Sequence, residues 1–286
     1  MSFDLKAELL AAHNSTRTER VSRAVRGGNA GIVNDQGVPI ASDSGSCPRM
    51  AFLRSHGVQG ALNFTSYLTF SLGYAFEAFF EKLRDSSKLK TLDSQVPVSL
   101  PIEGGDVPFQ GTADFVLTFH GGYRVVADTK SVSSLRSFHS TFVERKLKLN
   151  YVAQLVSYMQ ALGINHGLLV AASFLYVPTD WMTAGKQRAV GRKVEPDIAV
   201  FDLRLLSDGV ITIDGAPFEY TLRDIQRHRE TVAQAIQRNE PPRIRPVAPV
   251  GGWNPCGLCP FANACTTWEA GGEYTTERLI AYTKQT

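Results

Sequence analysis

The spacing of apolar residues changes from a helical pattern to a strand pattern at about residue 92, and this change divides the chain. Residues 5–25 and 62–83 carry apolar side chains at helical spacing, whereas the glycine-rich residues 27–45 between them predict a loop. Within the second helix, Glu77 and Glu81 are four residues apart, so they lie on one helical face. The first third of the chain is therefore predicted to be mainly helical.

Residues 92–131 contain β-branched and aromatic residues in short runs that are interrupted by glycine pairs. This is the pattern of strands joined by tight turns. The two central strands are predicted at 108–120 and 123–132, as a hairpin that turns at Gly121 and Gly122.

The remainder of the chain alternates between helical and strand patterns, which predicts an α/β fold with a mixed sheet flanked by helices. We expect three parts: an N-terminal helical segment (1–60), a core (61–240), and a proline-rich connector with a cysteine module (241–286). The further predicted elements are a helix at 147–162, strands at 167–177 and 198–205, a helix at 222–237, an extended connector at 241–250 and a short helix at 276–282.

Composition adds little to this picture. The chain has 286 residues, of which 43% are hydrophobic, and this is sufficient for one large domain. No apolar run approaches the roughly 18 residues that a spanning helix needs, and no leader-like N-terminus is visible, so we expect a cytoplasmic protein without a membrane partner. The net charge of +3 does not indicate nucleic acid; basic runs at 144–150, 186–193 and 237–245 agree with DNA binding but are also typical of a solvated surface.

Candidate chemistry lies on the two central strands. Asp114 on one strand and Asp128 on the next would repel each other unless a cation lay between them, and oxygen ligands favour Mg or Mn. Lys130 follows Asp128 by two residues and therefore shares its face, while the side chain of Thr129 is expected to point away and its backbone carbonyl to stay near the metal. Together with Glu77, this cluster predicts metal-assisted phosphodiester hydrolysis.

A single D-x-K sequence is more commonly a strand-end salt bridge or a solvated face. Here the charges interrupt apolar strands, where an unpaired charge is costly, so a compensating partner is needed. On the following helix, Gln154 and Tyr158 share one face and could contact a phosphate or a base, although isolated residues of this kind are often simply at the edge of a core.

The four cysteines form a second candidate site. Cys256, Cys259 and Cys265 have the spacing C-x2-C-x5-C, and Cys47 is the only other cysteine. Four thiolates can hold tetrahedral zinc or a 4Fe-4S cluster, and the spacing does not decide between them.

The order of these motifs resembles the RecB-like branch of the PD-(D/E)XK nucleases. That branch carries G-x-x-x-(H/E), G-x-x-D, (D/E)-x-K and Q-x-x-x-Y, which read here as residues 73–77, 111–114, 128–130 and 154–158. The resemblance implies a restriction-endonuclease-like sheet, Asp114 and Asp128 as metal ligands, Lys130 as the catalytic lysine, and Gln154 and Tyr158 as DNA-positioning residues. Many members have a metal-binding histidine where this chain has Glu77.

The flanking cysteine segments are similar to those of the iron-sulfur members of this branch, including AddB-type and CRISPR-associated spacer-acquisition nucleases. This implies a 4Fe-4S cluster on Cys47, Cys256, Cys259 and Cys265 that joins the two ends of the core as a structural clip. It further implies an exonuclease that acts on single-stranded or end-bearing DNA in recombination, repair or CRISPR adaptation.

Several points stay open at the level of sequence. Because no phosphate-binding loop of a motor is visible, such a nuclease would act alone or with a helicase or an adaptation partner. Arg49 and Arg54, near the first cysteine, could line the DNA path or be ordinary surface arginines. The competing hypothesis is a non-catalytic DNA-binding or scaffold protein with a four-cysteine zinc site.

Overall fold

A seven-stranded mixed sheet forms the centre of the protein in a computed structural model. The structure describes residues 4, 44–45, 47–55, 64–103, 108–132, 135–173 and 197–242, with the backbone alone for residues 54, 64–71, 135–136 and 197. All neighbouring strands are antiparallel except β3 and β4, which are parallel. In sheet order, the strands are β1 (Leu89–Leu100), β2 (Phe109–Phe119), β3 (Arg124–Val132), β4 (His166–Ser173), β5 (Asp197–Leu205), β6 (Ile211–Ile213) and β7 (Ala216–Pro217).

Helices cover both faces of this sheet. The amphipathic helix that follows β7 begins with a capping box, in which Thr221 and Asp224 each bond the backbone of the other, and it ends at the left-handed residue Asn239. Within the described segments, no helix is both long and apolar enough to cross a bilayer. The helices are α1 (Pro48–Ser55), α2 (Phe64–Phe80) with a 3-10 turn (Glu81–Asp85), α3 (Leu135–Phe138) with a π-helical turn (His139–Val143), α4 (Leu149–Ala161) and α5 (Leu222–Arg238).

Most of the predicted core elements are present within a few residues of their expected bounds. The hairpin of β2 and β3 is confirmed, and Gly122 adopts the positive φ of 78° that its turn requires. The short strands β6 and β7 and the helical turns between β3 and α4 were not predicted, because segments this short carry no usable periodicity. The predicted helices at 5–25 and 276–282 lie outside the described residues.

Alternating residues of the strands pack on opposite faces of the sheet, as the two-residue period of a strand requires. One face is covered by α4 and the start of α5, and the other by α2 and its 3-10 turn. The first layer includes Val116, Val126, Leu155, Met159, Leu169, Phe201 and Ile225, and the second includes Phe76, Phe80, Phe115, Leu117, Val125, Leu168 and Val170.

The parallel pair of β3 and β4 is connected through α4, which crosses the sheet close to its surface. Gly167 in β4 permits this approach, because a Cβ atom there would lie 2.6 Å from the sulfur of Met159 and 3.0 Å from Leu155. The close contact places the residues of α4 directly above the centre of the sheet.

A polar network joins the first residues of β3 and β4 to β5. The hydroxyl of Tyr123 is hydrogen-bonded to Nδ1 of the buried His166 and accepts a hydrogen bond of 2.6 Å from Arg204. Asp202 lies 2.9 Å from Nε2 of His166 and 2.7 Å from Nε of Arg204. This network fastens one end of the sheet, and the residues described next lie further along β3.

Candidate active site

Asp114 and Asp128 lie side by side on the two central strands of the sheet. The ladder between β2 and β3 pairs Phe115 with Ala127, so the two aspartates occupy the next position along it. Asp128 is 0% exposed, on a strand that is hydrogen-bonded on both sides, whereas Asp114 is only partly buried. The sequence therefore predicted the juxtaposition of these two carboxylates correctly.

Lys130 contacts Asp128 directly, since residues two apart on a strand share a face. Its Nζ atom lies 2.6 Å from Oδ2 of Asp128, and the lysine side chain is 17% exposed. Among the described residues, Oδ1 of Asp128 accepts no hydrogen bond, and Oδ2 has only this ammonium group as a partner. A fully buried carboxylate with an unsatisfied oxygen is costly, and a cation would relieve that cost.

The charges of this pair are perturbed by burial and by each other. Burial raises the pKa of Asp128 to about 7, with Lys130 opposing the shift and Asp114 adding to it. Burial lowers the pKa of Lys130, but the neighbouring carboxylates of Asp128 and Asp114 outweigh it, so the net pKa is above that of an ordinary lysine. Lys130 is therefore protonated throughout the physiological range.

The position of Thr129 differs from our expectation. We expected its side chain to point away from the site, but its hydroxyl donates a hydrogen bond of 3.0 Å to Oδ2 of Asp114. Its backbone N–H donates to the same oxygen at 2.8 Å. Asp114 lies just beyond the last ladder pair of β2 and β3, so its side chain can lean along β3 toward Thr129. Thr129 thus orients one of the two aspartates.

Glu77 approaches the same group of charges from α2. Burial and the nearby charge of Asp114 together raise the pKa of Glu77 to about 7, and Lys130 opposes both. Glu81, one turn later, falls in the 3-10 turn and only slightly reinforces this shift. Glu77 is thus electrostatically coupled to Asp114, Asp128 and Lys130.

One residue near Glu77 was missed in the sequence. Nε2 of Gln95, in β1, donates a hydrogen bond of 3.4 Å to Oε2 of Glu77. Gln95 has a φ of 55°, which is uncommon for a residue other than glycine, asparagine or aspartate. A single glutamine in a strand gives no signal in a sequence, since both its backbone angle and its partner are set by the tertiary fold.

The helix α4 brings further polar side chains to the site. Nε2 of Gln154 donates a hydrogen bond of 2.8 Å to the hydroxyl of Tyr158, which is 3% exposed. Burial, followed by the charge of Asp128, raises the pKa of Tyr158, so its hydroxyl stays neutral. The ring of Tyr151 lies 5.5 Å from Nζ of Lys130 and 5.4 Å from Nζ of Lys148, measured to the ring centroid.

These residues match the donor set of a hard divalent cation without forming a complete cage. In the segments that the structure describes, no three His, Cys, Asp or Glu side chains are close enough to hold a metal ion by themselves. Asp114 and Asp128 offer two carboxylates, however, and Mg often binds through one or two carboxylates, with water and substrate oxygens completing its shell. The unsatisfied Oδ1 of Asp128 fits such an ion.

Arg49 is placed differently from the sequence expectation. It is 4% exposed, and its Nε donates a hydrogen bond of 2.8 Å to the carbonyl of Pro242. A guanidinium buried in this way fastens α1 to the chain after α5 and is not available to line a DNA path. The side chain of Arg54 lies outside the described residues.

The cysteine module is described only at its first residue. Cys47 directly precedes α1, and its carbonyl accepts the hydrogen bond of the Ala51 N–H at 3.0 Å. Cys256, Cys259 and Cys265 lie outside the described residues, so the proposed cluster stays a prediction.

Comparisons with known proteins agree with the motifs. The solved protein SSO0001 is similar to this chain over 92% of its residues and 94% of that protein, with 16% identity and a TM-score of 0.46, a likeness too weak to carry an argument. No curated protein matches the chain. A family model of the PD-(D/E)XK nuclease superfamily matches residues 47–266, which span the sheet and every motif described above. The chain belongs to the PD-(D/E)XK nuclease superfamily.

Proposed function

We propose that this protein is a deoxyribonuclease that hydrolyses phosphodiester bonds with Mg or Mn held by Asp114, Asp128 and the backbone carbonyl of Thr129. Glu77 would be a further ligand, and its side chain would have to move toward the ion on binding. The observation that carries the proposal is the fully buried Asp128, which has one unsatisfied oxygen and shares a strand face with Lys130. A nuclease needs such a preorganised charge cluster where a phosphate oxygen becomes more negative.

The charge balance of the cluster favours a divalent ion. When ionised, Glu77, Asp114 and Asp128 carry three negative charges, and Lys130 supplies one positive charge against them. Two negative charges are left over, which a divalent cation would neutralise. Bound there, the ion would polarise the scissile phosphate and make its bound water a better nucleophile.

Lys130 acts in this proposal as a charged donor and not as a general base. Its raised pKa keeps the ammonium group protonated, so it cannot accept a proton from water near neutral pH. It can instead donate a hydrogen bond to a phosphate oxygen or to the attacking water. In this proposal the partly buried Gln154 positions the DNA beside it, and the buried Tyr158 contributes by holding the amide of Gln154.

The substrate and the second cofactor follow from the sequence resemblance. We propose an exonuclease that acts on single-stranded or end-bearing DNA, in recombination, repair or CRISPR adaptation, alone or with a helicase or adaptation partner. A 4Fe-4S cluster on Cys47, Cys256, Cys259 and Cys265 would serve as a structural clip. The purified protein should be brown, with visible sulfur-to-iron charge-transfer absorption, and a colourless zinc protein would contradict this part of the proposal.

The central experiment is cleavage of labelled single-stranded oligonucleotides with Mn or Mg. Wild type should degrade them, whereas Asp128→Ala and Lys130→Ala should lose most activity. Asp93→Asn, at an exposed carboxylate of β1, is the control for removing a charge elsewhere on the sheet. Oligonucleotides blocked at one end would give the polarity. Equal cleavage by all variants would show that the site is wrong, and binding without cleavage by the wild type would favour the scaffold hypothesis.

A further inference from the structure

The ladder between β1 and β2 is interrupted beside the candidate active site. Ser94 pairs with Phe115 and Val96 pairs with Ala113, but Gln95 and Asp114, which lie between these pairs, are not paired with each other. At this point Gln95 adopts the left-handed φ of 55°. The register is the same on both sides of this point, so neither strand gains a residue, and the left-handed backbone of Gln95 is what re-aims its side chain. Uncommon backbone angles of this kind cluster at active sites.

The side chain of Gln95 has one hydrogen-bonded partner among the described residues, and that partner is Glu77. Glu77 in turn receives its only hydrogen bond in this part of the chain from Gln95. Glycine or asparagine would adopt the backbone angle more easily than glutamine, but neither could reach the carboxylate. The glutamine amide thus gives the strained position a specific contact with Glu77.

Glu77 needs such a contact because burial and the charges of Asp114 and Asp128 all disfavour its ionised form, and Lys130 offsets them only in part. An untethered carboxylate on α2 would therefore turn toward solvent. A lysine at position 95 would hold Glu77 but would also neutralise it and compete with a cation. A neutral amide holds the carboxylate and leaves its charge available.

We propose that Gln95 is a positioning residue that aims the carboxylate of Glu77 at the cation-binding cluster. This inference rests on the proposed function, because it assumes that Glu77 faces a divalent ion. Gln95 itself touches neither the ion nor the substrate in this proposal, and it acts through Glu77 alone.

The test is the affinity of the purified full-length protein for Mn²⁺, measured by the loss of the free-ion signal in electron paramagnetic resonance. Gln95→Gly removes the amide and also relieves the backbone strain. We expect its dissociation constant for Mn²⁺ to rise about tenfold, a usual effect of removing a group that orients a metal ligand. The thermal midpoint of the metal-free protein should stay the same or rise, which separates positioning from general support of the fold.

Three further variants make the result specific. Ser99→Gly, at an exposed position of β1, should leave Mn²⁺ affinity unchanged. Gln95→Asn accepts the left-handed angle but is too short to reach Glu77, so it should repeat the loss seen for glycine. In a Glu77→Gln background, Gln95→Gly should change affinity less than twofold, because the contact through which it acts is already altered.

The outcomes also separate this inference from the proposed function. Unchanged Mn²⁺ affinity in both Gln95 variants, or an equal loss with and without Glu77→Gln, would overturn the positioning role. Asp128→Asn should abolish Mn²⁺ binding. If it binds Mn²⁺ as wild type does, the metal site itself is wrong and both proposals fail. If it abolishes binding while the Gln95 variants bind normally, only the role of Gln95 is refuted.

Discussion

Replacing Asp128 with asparagine should stabilise the metal-free protein at alkaline pH. The carboxyl group is fully buried and its pKa is raised to about 7. One pKa unit corresponds to about 1.4 kcal/mol, so holding this group ionised at pH 8 costs on the order of 4 kcal/mol. Asparagine keeps the shape without the charge, but Lys130 loses its ion-pair partner. We therefore expect a net gain of about 1–3 kcal/mol in unfolding free energy.

The pH dependence gives this prediction a definite sign. Because the folded pKa of Asp128, about 7, is above its ordinary value of 3.8, the wild type loses stability as the pH rises from about 4 to about 7, and the variant lacks this loss. Urea denaturation in EDTA should show the gain at pH 8, and the gain should disappear near pH 5. A variant less stable than wild type at pH 8, or a gain that is equal at both pH values, would refute the reasoning.

Adding Mn²⁺ should make the wild type more stable than Asp128→Asn, the reverse of the order expected without metal at pH 8. An ion that binds only the native state stabilises the protein in proportion to the logarithm of its concentration relative to the dissociation constant. Wild type should therefore gain stability with increasing Mn²⁺, whereas Asp128→Asn should not respond. The Asp128 carboxylate would thus destabilise the metal-free protein and stabilise the Mn²⁺-bound protein.

Further predictions concern pH and packing. Mn²⁺ affinity should weaken as the pH falls through about 7, because protons compete for Glu77 and Asp128, and titrations at pH 6 and pH 8 would contradict this if they gave equal constants. Gly167→Ala should cost about 1–3 kcal/mol in urea denaturation, since its methyl group would lie 2.6 Å from a sulfur of α4. Gly73→Ala should be neutral or stabilising by up to about 1 kcal/mol, because its Cβ would meet Ser131 Oγ at an ordinary 3.7 Å; a loss comparable to that of Gly167→Ala would contradict this.

The residues on regular elements were predictable from sequence because strand and helix periods fix which side chains share a face. Asp128 and Lys130 met as expected, and the hairpin placed Asp114 beside them. The contacts that depend on departures from regularity were not predictable. The hydroxyl of Thr129 reaches Asp114 only because the ladder ends there, and Gln95 reaches Glu77 only because its backbone is left-handed.

Burial of polar residues was the other source of error. Arg49 lies two residues after Cys47 and was expected at the protein surface, either along a DNA path or as an ordinary surface arginine. It is instead 4% exposed and bonded to the chain after α5. That contact spans 193 positions in the sequence, and no local pattern encodes an interaction of such range.

The location of β3 within the sheet has a consequence for motion. Asp128 and Lys130 lie on an interior strand that pairs with β4 from Val126 to Val132 and with β2 up to Ala127, whereas β1 is an edge strand among the described residues. The amides around Asp128 should therefore exchange their hydrogens very slowly, and those on the outer side of β1 much faster. During turnover, β1 would therefore move to accommodate substrates of different shape, while β3, which bears Asp128 and Lys130, would stay fixed.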